Sequence, residues 1–139
     1  MRTFTALLLI STSFFVMSAA QNDTLVVVAN TDNQTLTLEK WQIRDLFMGN
    51  NGDITLEPIG LAPSNTLRTV FNTKIVGLTE SRIQAYWAQM RFSGRDTPPT
   101  TFASQNEALQ YVRQHKNTIT YVSASATIPA DLVIVYEQR

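Results

Sequence analysis

The 139-residue sequence has no cysteine and only one histidine, His115. Without cysteine there is no disulfide framework, no thiol catalysis and no zinc–thiolate site, so the fold must rest on its hydrophobic core. His115 has no second ligand at helical spacing, which argues against a transition-metal site. Beside Lys116, near the end of a predicted helix, it reads as a cation complementing the helix dipole. No serine stands in a Gly-x-Ser-x-Gly setting, and no carboxylate pair is spaced for acid–base work. The chain therefore reads as a non-enzyme, with no cofactor indicated. Neither sign of charge is in excess, with eleven basic and eleven acidic residues. That excludes the basic footprint of a nucleic-acid-binding protein and of a polybasic membrane-surface protein.

Long apolar runs are also missing. The longest candidate, Ala6–Met17, is about a dozen residues, against the ~20 that a spanning helix needs. It follows Arg2 and leads into Ser18-Ala19-Ala20. A charged start, a short apolar middle and small residues at −3 and −1 are the pattern of a secretory signal peptide over residues 1–20. The alternative, an N-terminal membrane anchor, is too short. Cleavage leaves one domain, residues 21–139, with no lipid-anchoring cysteine and no further segment for membrane insertion. Loss of Arg2 leaves a net charge near −1. The glycosylation sequons Asn22-Asp23-Thr24 and Asn33-Gln34-Thr35 are short enough to arise by chance.

What is present is an alternation of strand and helix patterns. Thr24–Ala29 is a β-branched apolar run, the pattern of a strand buried on both faces. A helix follows, with Thr37 as N-cap, Leu38, Trp41, Leu46 and Phe47 on its apolar side, and Gly49 as its C′ residue. Asn50–Asp53 is a turn. Ile54–Ile59 is a short strand placed near an edge by Pro58. Pro63-Ser64-Asn65-Thr66 opens a second helix that turns Leu67, Val70 and Phe71 inward. Thr79 caps a third, whose Ile83, Tyr86, Trp87 and Met90 show the clearest helical period in the chain. Arg91–Pro99 is a loop. Ser104 and Glu107 form a capping box for a fourth helix, with Ala108, Leu109 and Val112 inward. Thr118–Val122 and Leu132–Tyr136 are the last strands. The pattern predicts one α/β domain with a mostly parallel sheet flanked by helices. Trp41 and Trp87 both read as core aromatics rather than a sugar-stacking platform.

Anion capture is the chemistry best supported by the residues. Ser64, Asn65 and Thr66 stand at a helix start, where unpaired amides and the dipole favour a negative ligand. Arg68 follows within one turn and has the two-pronged geometry that suits an oxyanion. The competing reading is that Ser64 or Asn65 is simply an N-cap. In a second candidate, Arg91 and Arg95 bracket Ser93-Gly94, and Gly94 permits a positive φ that presents successive amides. Its competing reading is a solvated loop whose arginine stems cover Trp87 and Phe92.

Several motifs carry a resemblance over nearly the whole of residues 21–139. They are Leu25-Val26-Val27-Val28, Asp45-Leu46-Phe47-Met48-Gly49, Arg68-Thr69-Val70-Phe71, Tyr86-Trp87, Phe92-Ser93-Gly94, Pro98-Pro99 and Ile119-Thr120-Tyr121-Val122. In that order they resemble the short, single-lobe members of the periplasmic phosphate-binding-protein-like group. The resemblance implies one lobe of a type 2 periplasmic-binding-protein fold, a periplasmic location, and binding of phosphate or a related oxyanion for uptake by an ABC transporter or for sensing. It implies Ser64, Asn65, Thr66 and Arg68 as ligand-binding residues, with Ser93, Gly94 and Arg95 as a second set. Full-length family members have a Ser-Gly-Thr turn. Here Asn65 replaces the glycine, and the distance to Phe71 is longer by one residue. An acceptor carboxylate for a phosphate proton would come from Asp53 or Asp96. A lobe without its partner also exposes its cleft face, which suits an envelope protein or a second copy of the chain as the alternative partner.

Overall fold

The computed structural model describes residues 24–139; the signal-peptide expectation and Asn22 of the first sequon lie outside them. The elements are β1 (Leu25–Asn30), α1 (Lys40–Phe47), β2 (Glu57–Leu61), α2 (Thr66–Phe71), a π-helical turn continuing it (Asn72–Val76), α3 (Glu80–Phe92), β3 (Thr100–Phe102), α4 (Gln105–Gln114), β4 (Thr118–Ser123) and β5 (Val133–Glu137). The strands form one sheet in the order β3-β2-β4-β1-β5.

The sheet is mixed rather than mostly parallel. β2 runs parallel to β3 and β4, whereas β1 runs antiparallel to both of its neighbours, β4 and β5. The expectation of a mostly parallel sheet failed because a strand buried on both faces shows the same apolar run in either direction. β2 lies near an edge as expected, second in the sheet beside the edge strand β3. Its pairing with β4 covers Glu57 and Pro58, and its pairing with β3 begins only at Ile59. Pro58 therefore lacks no amide that the β3 ladder requires.

Helices cover both faces. Tyr121 of β4 stacks on Phe71 of α2 (centroids 3.9 Å apart) and meets Phe47 of α1. Thr118, which the alternation of a strand turns to the opposite face, donates from its hydroxyl to the carbonyl oxygens of His115 and Val112 at the end of α4. Between these layers Leu25, Val27, Val28, Ile119 and Val122 are fully buried. Two caps form as expected: Thr79 at α3, and the reciprocal Ser104–Glu107 box at α4. α1 starts later than expected, with Glu39 rather than Thr37 as its N-cap. Gly49 follows its end at φ +85°, and a Cβ there would come within 2.7 Å of Asp96 Oδ2. Trp87 is buried as expected at 3 % exposure, but Trp41 is 57 % exposed and is not a core residue.

Candidate functional site

The chain leaves β2 and β3 in opposite directions across the sheet. From Leu61 it enters α2, on the Tyr121 face. From Phe102 it enters α4, on the Thr118 face. Neighbouring parallel strands whose connections diverge in this way leave a crevice at their carboxyl ends, the usual place for ligands in open α/β sheets. Here that crevice is a groove of about 370 Å³ lined by Asn65, Thr66, Leu67, Ser104, Gln105, Asn106 and Ser123.

The walls of the groove are tied together. Ala62 N–H donates to the Phe102 carbonyl (2.8 Å), and Asn65 Nδ2 donates to the Ala103 carbonyl (3.0 Å), so the loops after β2 and β3 are joined. Asn65 Oδ1 accepts from Leu67 N–H (2.9 Å), which makes Asn65 the N-cap of α2. Gln105 Oε1 accepts from Ser123 N–H (2.9 Å), fixing α4 to the end of β4. Ser123 and Ser125 share a hydrogen bond between their hydroxyls. The amides of Gln105 and Asn106 belong to the first turn of α4, where the helix itself offers no acceptor. Among the described residues that line the groove none is charged, but the Glu107 carboxylate accepts from the Ser104 N–H and hydroxyl (3.0 and 3.2 Å) beside it. An anion there would be held by amides, hydroxyls and the dipole of α4.

The expected site residues are not brought together. Asn65 and Thr66 line the groove; Ser64 is exposed beside them and makes no side-chain hydrogen bond among the described residues. Arg68 points elsewhere. Its Nε and Nη2 donate to Glu80 (2.8 and 2.7 Å), and its Nη1 donates to the Leu61 carbonyl (2.7 Å). Glu80 also accepts from Asn72 and Gln84. The Arg68 hydrogen bond holds the Glu80 carboxyl below its ordinary pKa, against an opposing contribution from burial. The guanidinium is thus neutralised within the fold.

Ser93, Gly94 and Arg95 end α3, which places them at the amino edge of β3, opposite the groove. The Gly94 and Arg95 amides already donate to the Arg91 and Met90 carbonyls, and the Ser93 hydroxyl donates to Met90 as well. Asp53 and Asp96 precede β2 and β3 and so lie at that same far edge. His115 caps the end of α4, with its ring stacked on Tyr111. Sequence reasoning missed Gln105, Asn106 and Ser123, and read Ser104 only as a cap. The signal available for them was a polar cluster directly after each of two strands.

No family matches the sequence, and no curated protein matches it. Among solved structures, the fold is similar to that of an ABC-type phosphate transport receptor from Vibrio cholerae, with a TM-score of 0.59 and 15% sequence identity. The match covers 81% of this chain and 45% of the receptor, so the chain spans less than half of that protein. At this identity the likeness shows the fold alone, a mixed α/β sheet flanked by helices that is similar to part of that receptor. Among the described residues, no helix is long and apolar enough to cross a membrane, and no three acidic or histidine side chains group to hold a metal ion.

Proposed function

We propose that this chain is an exported, non-enzymatic binder of phosphate or a related tetrahedral oxyanion, serving uptake or sensing in the periplasm. The observation that carries this reading is the groove at the diverging ends of β2 and β3, where Asn65, Thr66, Ser104, Gln105 and Asn106 converge. The likeness to a phosphate transport receptor lobe supports the ligand class. The site differs from the sequence expectation in omitting Arg68. With no cation and open access to water, contacts to an anion are screened. The affinity is therefore expected on the order of millimolar, near −4 kcal/mol. Isothermal titration of the purified protein with phosphate and sulfate tests the reading. Saturable heat with phosphate, abolished in Asn106→Asp and retained in Arg68→Ala, is the expected result. No heat from the native chain at several times that concentration would remove the proposal.

The 96 % exposure of Phe92 and the 57 % exposure of Trp41 favour a second reading, a module that docks on another envelope protein or on a second copy of itself. A mass that rises with concentration in light scattering, independent of phosphate and reversed by Phe92→Ser, would support self-association over oxyanion capture.

A further inference from the structure

The turn between α1 and β2 takes no part in the groove. It reads Asn50-Asn51-Gly52-Asp53, and all of it is exposed. Because it precedes β2, it lies at the amino edge of the sheet, opposite the groove. A backbone hydrogen bond closes it, from Ile54 N–H to the Asn51 carbonyl (2.9 Å). Gly52 takes a φ of +52° inside the turn, and nothing lies within 4 Å of where its Cβ would stand.

Asparagine is among the chemically labile residues, and Asn51 combines two features that no other described asparagine has together. Its carboxamide makes no hydrogen bond among the described residues, and a glycine follows it. Asn30, Asn65 and Asn72 commit their carboxamides within the fold, to the Val112 and Arg113 carbonyls, to Leu67 N–H and the Ala103 carbonyl, and to Glu80. Asn33 accepts from Thr35. Asn50, Asn106 and Asn117 precede Asn51, Glu107 and Thr118, whose side chains crowd the next amide nitrogen. The Gly52 N–H also donates to no acceptor among the described residues. Without a Cβ beside it, that nitrogen is sterically open, and glycine leaves the backbone free to bring it toward the side chain.

We propose that Asn51 is a self-modification site, deamidating through a cyclic imide with Gly52 to leave isoaspartate and aspartate in the turn. Hydroxide removes the Gly52 amide proton, and the nitrogen attacks Asn51 Cγ. The Cγ–Nδ2 bond breaks, and the leaving nitrogen takes a proton from water and departs as ammonia, which regenerates the hydroxide. Water then adds to one of the two imide carbonyls and breaks its bond to the Gly52 nitrogen. Opening at Cγ gives aspartate. Opening at the main-chain carbon gives isoaspartate, with the chain now running through Cβ and Cγ. Nothing is oxidised or reduced. Either product places a carboxylate where Asn51 was neutral. Asn51 lines a separate groove of about 530 Å³ with Glu57, Asp96 and Lys116, and Lys116 is already paired with Asp32. The new charge therefore joins two carboxylates there. In isoaspartate the carbonyl that accepts from Ile54 N–H becomes that carboxylate, and the turn is one backbone carbon longer.

The test incubates the purified native protein at pH 6 and at pH 8.5. Intact mass, peptide mapping and methyl transfer by an isoaspartyl methyltransferase follow the change. The expected result is the mass gain of an amide exchanged for an acid, faster at pH 8.5 because hydroxide generates the nucleophile. It should map to Asn51, with isoaspartate present, while Asn65 and Asn72 stay intact. Asn51→Gln keeps the charge and the exposed turn but removes the five-membered closure. It should slow the gain by about tenfold or more, the effect of a small rise in barrier. No mass gain at pH 8.5, or a gain that maps first to another asparagine while Asn51 is intact, overturns the proposal. A gain unchanged in Asn51→Gln does the same. None of these outcomes depends on phosphate, so the result stands apart from that of the groove.

Discussion

Arg68 shows how one side chain changes role once its neighbours are known. From sequence it was the natural cation for an anion site. In the fold Glu80, twelve residues on, takes both prongs of its fork. A carboxyl with a lowered pKa binds fewer protons in the folded state than in the unfolded chain. Its stabilisation is complete above the ordinary value of 4.5 and is lost as pH falls through the folded value. Urea midpoints measured from pH 7 down to pH 3 should therefore fall in the native protein, and Glu80→Gln should remove part of that slope while costing about 2 kcal/mol at pH 7. A cost at pH 7 without any change of slope would contradict this role. The two tryptophans provide a second residue-scale test. Trp41 was misread because the helix was started too early. In α1 the inward residues are Ile43, Leu46 and Phe47, and Trp41, two before Ile43, sits about 200° around the helix from it. Trp87→Ala should cost about 3–5 kcal/mol and Trp41→Ala less than about 0.5 kcal/mol in chemical denaturation.

Among the elements, legibility tracked how local each signal is. The capping box of α4 is complete within four residues, and it appears in the structure as read. Ser104→Ala should cost about 1 kcal/mol, seen as a lower thermal midpoint, and should also disturb the groove, because Ser104 lines it. The C′ glycine of α1 was equally local. Gly49→Ala should destabilise more than Ser104→Ala, since its φ is positive and the buried Trp87 ring stands 3.1 Å from an added Cβ; an equal or smaller loss would contradict the strained backbone at this position. Strand direction and neighbour are not local. β3 is only three residues long, Thr100–Phe102, and was not anticipated, because so short a run shows no period. The antiparallel course of β1 depends on where the chain returns after α1, which no residue of β1 records.

For the whole molecule, the α/β layering implied by the ordered motifs from Leu25 to Val122 agrees with the likeness to part of a phosphate transport receptor, and the direction of the strands does not follow from them. The candidate groove was only half legible. Asn65 and Thr66, read as ligand residues from their place at a helix start, are among the residues that line it. Ser104, Gln105, Asn106 and Ser123 join them because β3 and β4 lie on either side of β2, a fact of topology rather than of spacing. The same topology sends Ser93, Gly94 and Arg95 to the far edge. One measurement bears on this directly: amide chemical shifts of the protein titrated with inorganic phosphate at constant pH and ionic strength. Saturable shifts should gather at Thr66, Gln105, Asn106 and Ser123 and leave Gly94 and Arg95 unmoved. Shifts centred on Gly94 and Arg95, or none at any residue, would contradict an oxyanion site at the diverging ends of β2 and β3.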